Sequence, residues 1–157
     1  LIFIAQISKF DKSDLIGRIC SAERRMFRLS KKSDYGLIAL KHLAQHAEES
    51  VSARQIAAQY HIPAELLAKV LQKLVRKGLL VSQQGSNGGY VLAKDPAAIT
   101  VVDVVEALEG PISITPCERG EDCQQLQMCS VRDPLLKIKA KVVRVLGDTS
   151  IYELAAN

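Results

Sequence analysis

Residues 52–78 read SARQIAAQYHIPAELLAKVLQKLVRKG. Ser52-Ala53-Arg54-Gln55 has the form of a capping box, in which the serine hydroxyl accepts from an early helical amide while Gln55 reaches back to the serine N–H. A short helix through Ile56 and Ala57 follows and ends near Tyr60. After the turn at His61-Ile62, Pro63 stands where the first position of a helix tolerates proline. Leu66, Leu67, Val70, Leu71, Leu74 and Val75 then recur as the buried face of a longer helix that Gly78 closes. Two helices joined by so tight a turn, the second with an exposed polar edge, read as a helix-turn-helix.

Beyond Gly78, Leu79-Leu80-Val81 and Tyr90-Val91-Leu92 are strand-like runs. The segment Gln83-Gln84-Gly85-Ser86-Asn87-Gly88-Gly89 between them is rich in residues that tolerate positive φ, so the pair reads as a hairpin wing. On the other side, Leu37, Leu40, Ala44 and Ala47 recur at helical spacing from Ser30 onward, with Ile38 and Leu43 widening the stripe. Thr100 to Leu108 is a further short helix, ended by Gly110-Pro111. Asp133 and Pro134 read as N-cap and first turn of a last helix that Gly147 stops; it carries Leu135, Ile138, Val142 and Val145 on one stripe and Leu136, Val143 and Leu146 beside it. So wide an apolar face needs a partner, either the chain's own body or the same helix of a second subunit. The dimer is preferred because palindromic DNA recognition favours two-fold symmetry. The fold class is mainly α: a winged helix-turn-helix with a small β-hairpin wing and a long C-terminal dimerisation helix. The expected division is residues 1–25 as an extension, 26–94 as the DNA-binding domain, and 95–157 as a cysteine loop plus the dimerisation helix. Residues 1–25 have no coherent period, and both a natural start at Met26 and a real N-terminal arm remain open.

The formal net charge of +4 is unevenly spread. Residues 26–94 hold 10 Lys and Arg against Asp34, Glu48, Glu49 and Glu65, giving +6, whereas residues 95–157 hold 6 against 10, giving −4. A discrete basic module is the electrostatic footprint of nucleic-acid binding, although a solvated basic surface has the same composition. On the second helix Ala64, Glu65, Ala68, Lys69, Gln72 and Lys73 form the exposed edge. Those near its start are placed to read bases, while Lys73, Arg76 and Lys77 are placed for phosphates or water. Arg54, Gln84, Gly85, Ser86 and Asn87 complete the expected DNA-facing set. No stretch approaches the roughly 18 apolar residues of a membrane span, and a soluble, cytoplasmic chain is expected.

Cys117, Cys123 and Cys129 are separated by two equal gaps of five residues, and Cys20 lies far from them. An odd group of three argues against a disulfide framework. The gaps exceed those of most zinc knuckles, and three soft thiolates lacking a fourth ligand suit an iron-sulfur cluster. Spacing alone leaves three readings open: a cluster, a zinc site, and three unrelated reduced thiols. His42 and His46 lie one turn apart with no third ligand in sight, and are read as packing or surface residues. No Ser-His-Asp set or phosphate-binding glycine loop is found, which sets an enzyme or a cluster-bearing electron carrier below a DNA-binding regulator.

From Met26 to Leu154 the chain resembles the IscR and NsrR (Rrf-type) family of bacterial winged-helix regulators. The resemblance is carried by Arg28-Leu29-Ser30-Lys31, Gly78-Leu79-Leu80, Gly88-Gly89-Tyr90, Ala107-Leu108-Glu109-Gly110-Pro111 and the three cysteines. It implies a transcriptional regulator, here expected to be a repressor, that forms a homodimer crossing its long C-terminal helices. It also implies a 2Fe-2S or 4Fe-4S cluster on Cys117, Cys123 and Cys129 that changes DNA affinity when lost or modified. IscR-like members place a histidine three residues after the last cysteine, where this chain has Arg132, an implausible ligand. NsrR-like members use an N-terminal aspartate from the partner subunit, a position matched by Asp34, whose other reading is a carboxylate capping the first helix or facing its dipole. Many relatives also carry an arginine before the first wing glycine, where this chain has Gln84.

Overall fold

The first helix, α1 (Lys31–Gln45), begins where Ser30 Oγ accepts the amides of Lys32 and Ser33, each at 3.2 Å. The computed structural model describes residues 29–156 apart from 86, 87, 120–122 and 125. The expectations for residues 1–25, Ser86 and Asn87 lie outside the described residues. The deepest side of α1 is Ser33, Gly36, Ala39, Leu40, His42 and Leu43, while Leu37, Ile38 and Ala44 are half-buried and Ala47 is exposed beyond the helix end. The burial is thus rotated from the stripe read in the sequence. Packing against several helices, rather than one apolar neighbour, determines which face goes in.

The helix-turn-helix follows as α2 (Ala53–Gln59) and α3 (Ala64–Arg76). Its capping box forms, with Gln55 N–H donating to Ser52 Oγ at 3.3 Å and Ser52 N–H to Gln55 Oε1 at 2.8 Å. His61 takes the left-handed conformation, φ 53°, in the turn, and the Ile62 amide closes back on Ala57 O at 3.0 Å. Pro63 is the residue before α3 rather than its first residue. Leu67, Val70, Leu71 and Leu74 are buried. Gly78, φ 71°, ends the helix in a Schellman turn: its amide bonds Val75 O at 2.9 Å and that of Leu79 bonds Leu74 O at 3.0 Å.

Strands β1 (Leu80–Gln83) and β2 (Gly89–Leu92) pair antiparallel in the register Leu80 to Leu92 and Gln83 to Gly89. The hairpin is also tied to the α1–α2 connection, because Val51 and Tyr90 exchange both backbone bonds, at 3.2 and 2.9 Å. Only glycine fits at position 89, where an added Cβ would lie 2.7 Å from the Val51 carbonyl. Helix α4 (Val101–Glu109) opens on a second capping box, Thr100 with Asp103.

Helix α5 (Arg132–Gly147) begins before Asp133, so the expected cap at Asp133 is corrected: Val131 is the N-cap and Asp133 lies in the first turn. Pro134 is compatible with this earlier start because early helical amides need no intrahelical partner. A final helix, α6 (Ile151–Ala156), had no counterpart in the sequence reading. It is pinned by Val101 N–H to Thr149 O at 2.9 Å and Ile151 N–H to Ile99 O at 2.8 Å. Ile99, Val104, Leu108 and Ile151 join Leu40, Leu43, Leu67, Leu71 and Leu74 in one buried cluster, so residues on both sides of position 95 share a core. Among the described residues no helix is long and apolar enough to cross a membrane.

Candidate DNA interface and cysteine segment

The core holds α3 by Leu67, Val70, Leu71 and Leu74, and this leaves Ala64, Glu65, Lys69 and Gln72 exposed, with Ala68 half-exposed between them. Arg54, on the first turn of α2, is exposed as well. So are Gln84 and Gly85 at the described edge of the wing turn. Glu65 in the first turn and Lys73 and Arg76 in the last suit the helix dipole. Lys73 is exposed too, and its Nζ donates to Leu108 O at 2.7 Å, at the C-terminal end of α4. Helix ends carry unpaired carbonyls, and a lysine within reach satisfies one. Arg76 and Lys77 remain exposed.

The cysteine segment runs from the end of α4 to α5. Cys117, on a single 3-10 turn (Pro116–Arg119), is half-buried, Cys123 is exposed, Cys129 is half-buried, and all three are free of disulfides. Among the described residues no group of three His, Cys, Asp or Glu side chains lies close enough to hold a metal ion. The donor chemistry suits a soft metal or cluster, but the three sulfurs are not gathered in advance.

What orders the first turn of the segment is Glu118. Its Oε2 accepts from the amides of Ile114 (3.0 Å) and Thr115 (3.3 Å) and from the Thr115 hydroxyl (3.2 Å), while Oε1 accepts from Lys139 Nζ of α5 at 2.6 Å. Lys139, followed by the Ile114 amide, holds the Glu118 carboxyl down at about 2, so it is ionised at neutral pH. Nothing in the sequence pointed to this pair, because 21 residues separate its members.

Asp34 is half-buried in the first turn of α1, and its side chain makes no hydrogen bond or ion pair with a described residue. The capping bonds belong to Ser30, which also donates its hydroxyl to Glu109 at the end of α4. His42 and His46 stack at 4.2 Å, with His42 Nδ1 3.2 Å from the Tyr60 hydroxyl and His46 Nδ1 2.8 Å from His42 O.

An exposed second helix beside a glycine-turned hairpin, both seated on one helical core, defines a winged helix-turn-helix protein. Residues 29–157 match the Rrf2 family, described as iron-dependent transcriptional regulators, and the chain belongs to that family. It is similar to the HTH-type transcriptional regulator CymR of Bacillus subtilis, 35% identical over 130 residues that span 82% of this chain and 90% of that one. It is also similar to the regulator IscR of Xenorhabdus nematophila, 29% identical over 131 residues, 83% of this chain and 80% of that one. The fold matches the structure of CymR (YrzC), the global cysteine regulator of B. subtilis, with a TM-score of 0.68 and 31% identity over 83% of this chain and 98% of that one. These relatives are transcriptional regulators and not enzymes.

Proposed function

We propose that this chain is a cytoplasmic homodimeric repressor whose affinity for a two-fold symmetric promoter site is set by an iron-sulfur cluster on Cys117, Cys123 and Cys129. The observation that carries the reading is the placement of three disulfide-free cysteines on the segment joining the winged module to α5, with the Cys117 turn bonded to that helix. A bound cluster would supply a centre that is lost or modified when iron supply, nitric oxide or redox state changes. The segment's own residues would close around it, since the three sulfurs are not already gathered. Asp34 of the partner subunit is the proposed fourth ligand, supported by its unengaged side chain.

DNA reading falls to Arg54, Ala64, Glu65, Ala68, Lys69, Gln72 and the wing turn at Gln84, Gly85, Ser86 and Asn87, with Arg76 and Lys77 at phosphates. Lys73 is better placed to hold α4 against α3. Dimerisation is supported by α5, none of whose 16 residues is buried.

A second reading rests on the relative CymR, whose structure is described as that of a global cysteine regulator: the chain would then answer to cysteine supply through its thiols, without a cluster. Iron and acid-labile sulfide in anaerobically purified protein decide between them. Both are expected in stoichiometric amounts, and each is expected to fall sharply on Cys117→Ser, Cys123→Ser or Cys129→Ser. Specific promoter binding with neither iron nor sulfide would favour the second reading.

A further inference from the structure

We propose that Glu118 and Lys139 are a positioning pair that couples the sulfur of Cys117 to α5, with the Thr115 hydroxyl as the switch between them. A continuous chain of contacts makes the connection. Cys117 Sγ donates to Thr115 Oγ1 at 3.2 Å, that hydroxyl donates to Glu118 Oε2 at 3.2 Å, and Lys139 Nζ donates to Oε1 of the same carboxylate at 2.6 Å. The pair is largely sheltered, its side chains 13% and 30% exposed for Glu118 and Lys139.

A hydroxyl has one proton to give. While Cys117 carries its S–H, the sulfur occupies a lone pair of Thr115 Oγ1 and the Thr115 proton points to Glu118. A sulfur bonded elsewhere has no proton to donate and offers only lone pairs. The bond to Thr115 Oγ1 is then lost, and the hydrogen-bonded turn that fixes Glu118 under Lys139 loses the link that anchored its hydroxyl to the sulfur. The state of Cys117 is thereby passed to the middle of α5, one residue from Ile138.

This inference rests on the reading that the cysteine segment governs the DNA-binding state, and its test is independent of both iron and DNA. In the full chain carrying Cys20→Ser, Cys123→Ser and Cys129→Ser, Cys117 is the sole thiol. N-Ethylmaleimide adds to it with an S–C bond formed, the C=C π bond lost and the thiol proton ending on the neighbouring carbon. Labelling is followed by mass, and amide exchange over residues 131–147 is measured before and after it. Lys139→Met is expected to change the labelling rate roughly two- to fivefold, the scale on which a partly exposed ion pair acts, with Lys139→Arg close to the parent. Labelling is expected to speed exchange in α5 of the parent and to have no such effect in Thr115→Val. Equal labelling of Lys139→Met and parent overturns the pair, as does an α5 that ignores labelling or responds equally in Thr115→Val. Failure of these outcomes leaves the cluster reading standing, whereas absence of iron and sulfide from the unsubstituted protein removes that reading without touching the pair.

Discussion

His42 is 3% exposed, stacked on His46 and bonded to the Tyr60 hydroxyl, and so ties α1 to the end of α2. Its burial first, and the neighbouring charge of His46 second, lower its pKa from the usual 6.5. Below about pH 6.5 the unfolded chain binds a proton that the folded chain refuses, so this residue's contribution to stability is lost as pH falls from 6.5 toward the lowered folded value. The thermal midpoint is expected to drop between pH 7.5 and 5.5, and His42→Gln to flatten that drop; an unchanged slope assigns the titration elsewhere. At Asp34 the expectation is the reverse, a residue without structural duty. Since Ser30 caps α1, Asp34→Ala is expected to shift unfolding free energy by no more than about 0.5 kcal/mol, while making a bound cluster labile to oxygen in absorbance decay. A large loss of stability with an unchanged cluster would return Asp34 to a helix-dipole role.

Helix α5 is where the element scale matters most. Its Val143 and Leu146 edge packs on Val101, Val105 and Ile112, which leaves Leu135, Ile138, Val142 and Val145 as a separate stripe at alternating spacings of three and four. Met128 and Val131 extend that spacing beyond the helix start, and both are exposed. This is the period of a coiled-coil seam, not of a helix buried in its own domain. Ile138 and Val145 are 50% and 65% exposed, so Ile138→Glu and Val145→Glu together are expected to leave the helical content unchanged while converting dimer to monomer in sedimentation equilibrium. A dimer of unchanged strength would place the interface on another surface. The stripe was legible from sequence because one face has no partner among the described residues. The burial of α1 was harder to read, because several elements cover it and its innermost positions include Ser33 and Gly36, which no apolar count selects.

At the scale of the molecule, the basic charge and the exposed edge of α3 fall in one half of the chain and the acidic cysteine segment in the other. Arg76 and Lys77 carry the proposed phosphate contacts. Changing both to Ala is expected to weaken binding to every DNA sequence and flatten the dependence of log affinity on log salt by roughly one per contact removed; an unchanged slope would take both off the DNA. The winged module was legible almost to the residue, since the capping box at Ser52, the apolar run of α3 and the stop at Gly78 are local signals that packing did not override. What joins the halves was not. Lys73 to Leu108, Ser30 to Glu109 and Gln45 to Ala155 are long-range contacts between polar groups that have no period in sequence. Helix α6 announces itself only by Ser150 and Glu153, a capping box on a segment too short to show an apolar repeat. The proposed coupling runs through these joints: a cluster held in the cysteine segment would have to favour one arrangement of the two reading helices over another. Its most direct test is the affinity of cluster-loaded and cluster-free protein for the same promoter fragment, measured anaerobically at several salt concentrations. The two forms are expected to differ by roughly 5- to 150-fold, the span of a coupling of about 1 to 3 kcal/mol, and equal affinities at every salt concentration would contradict the account.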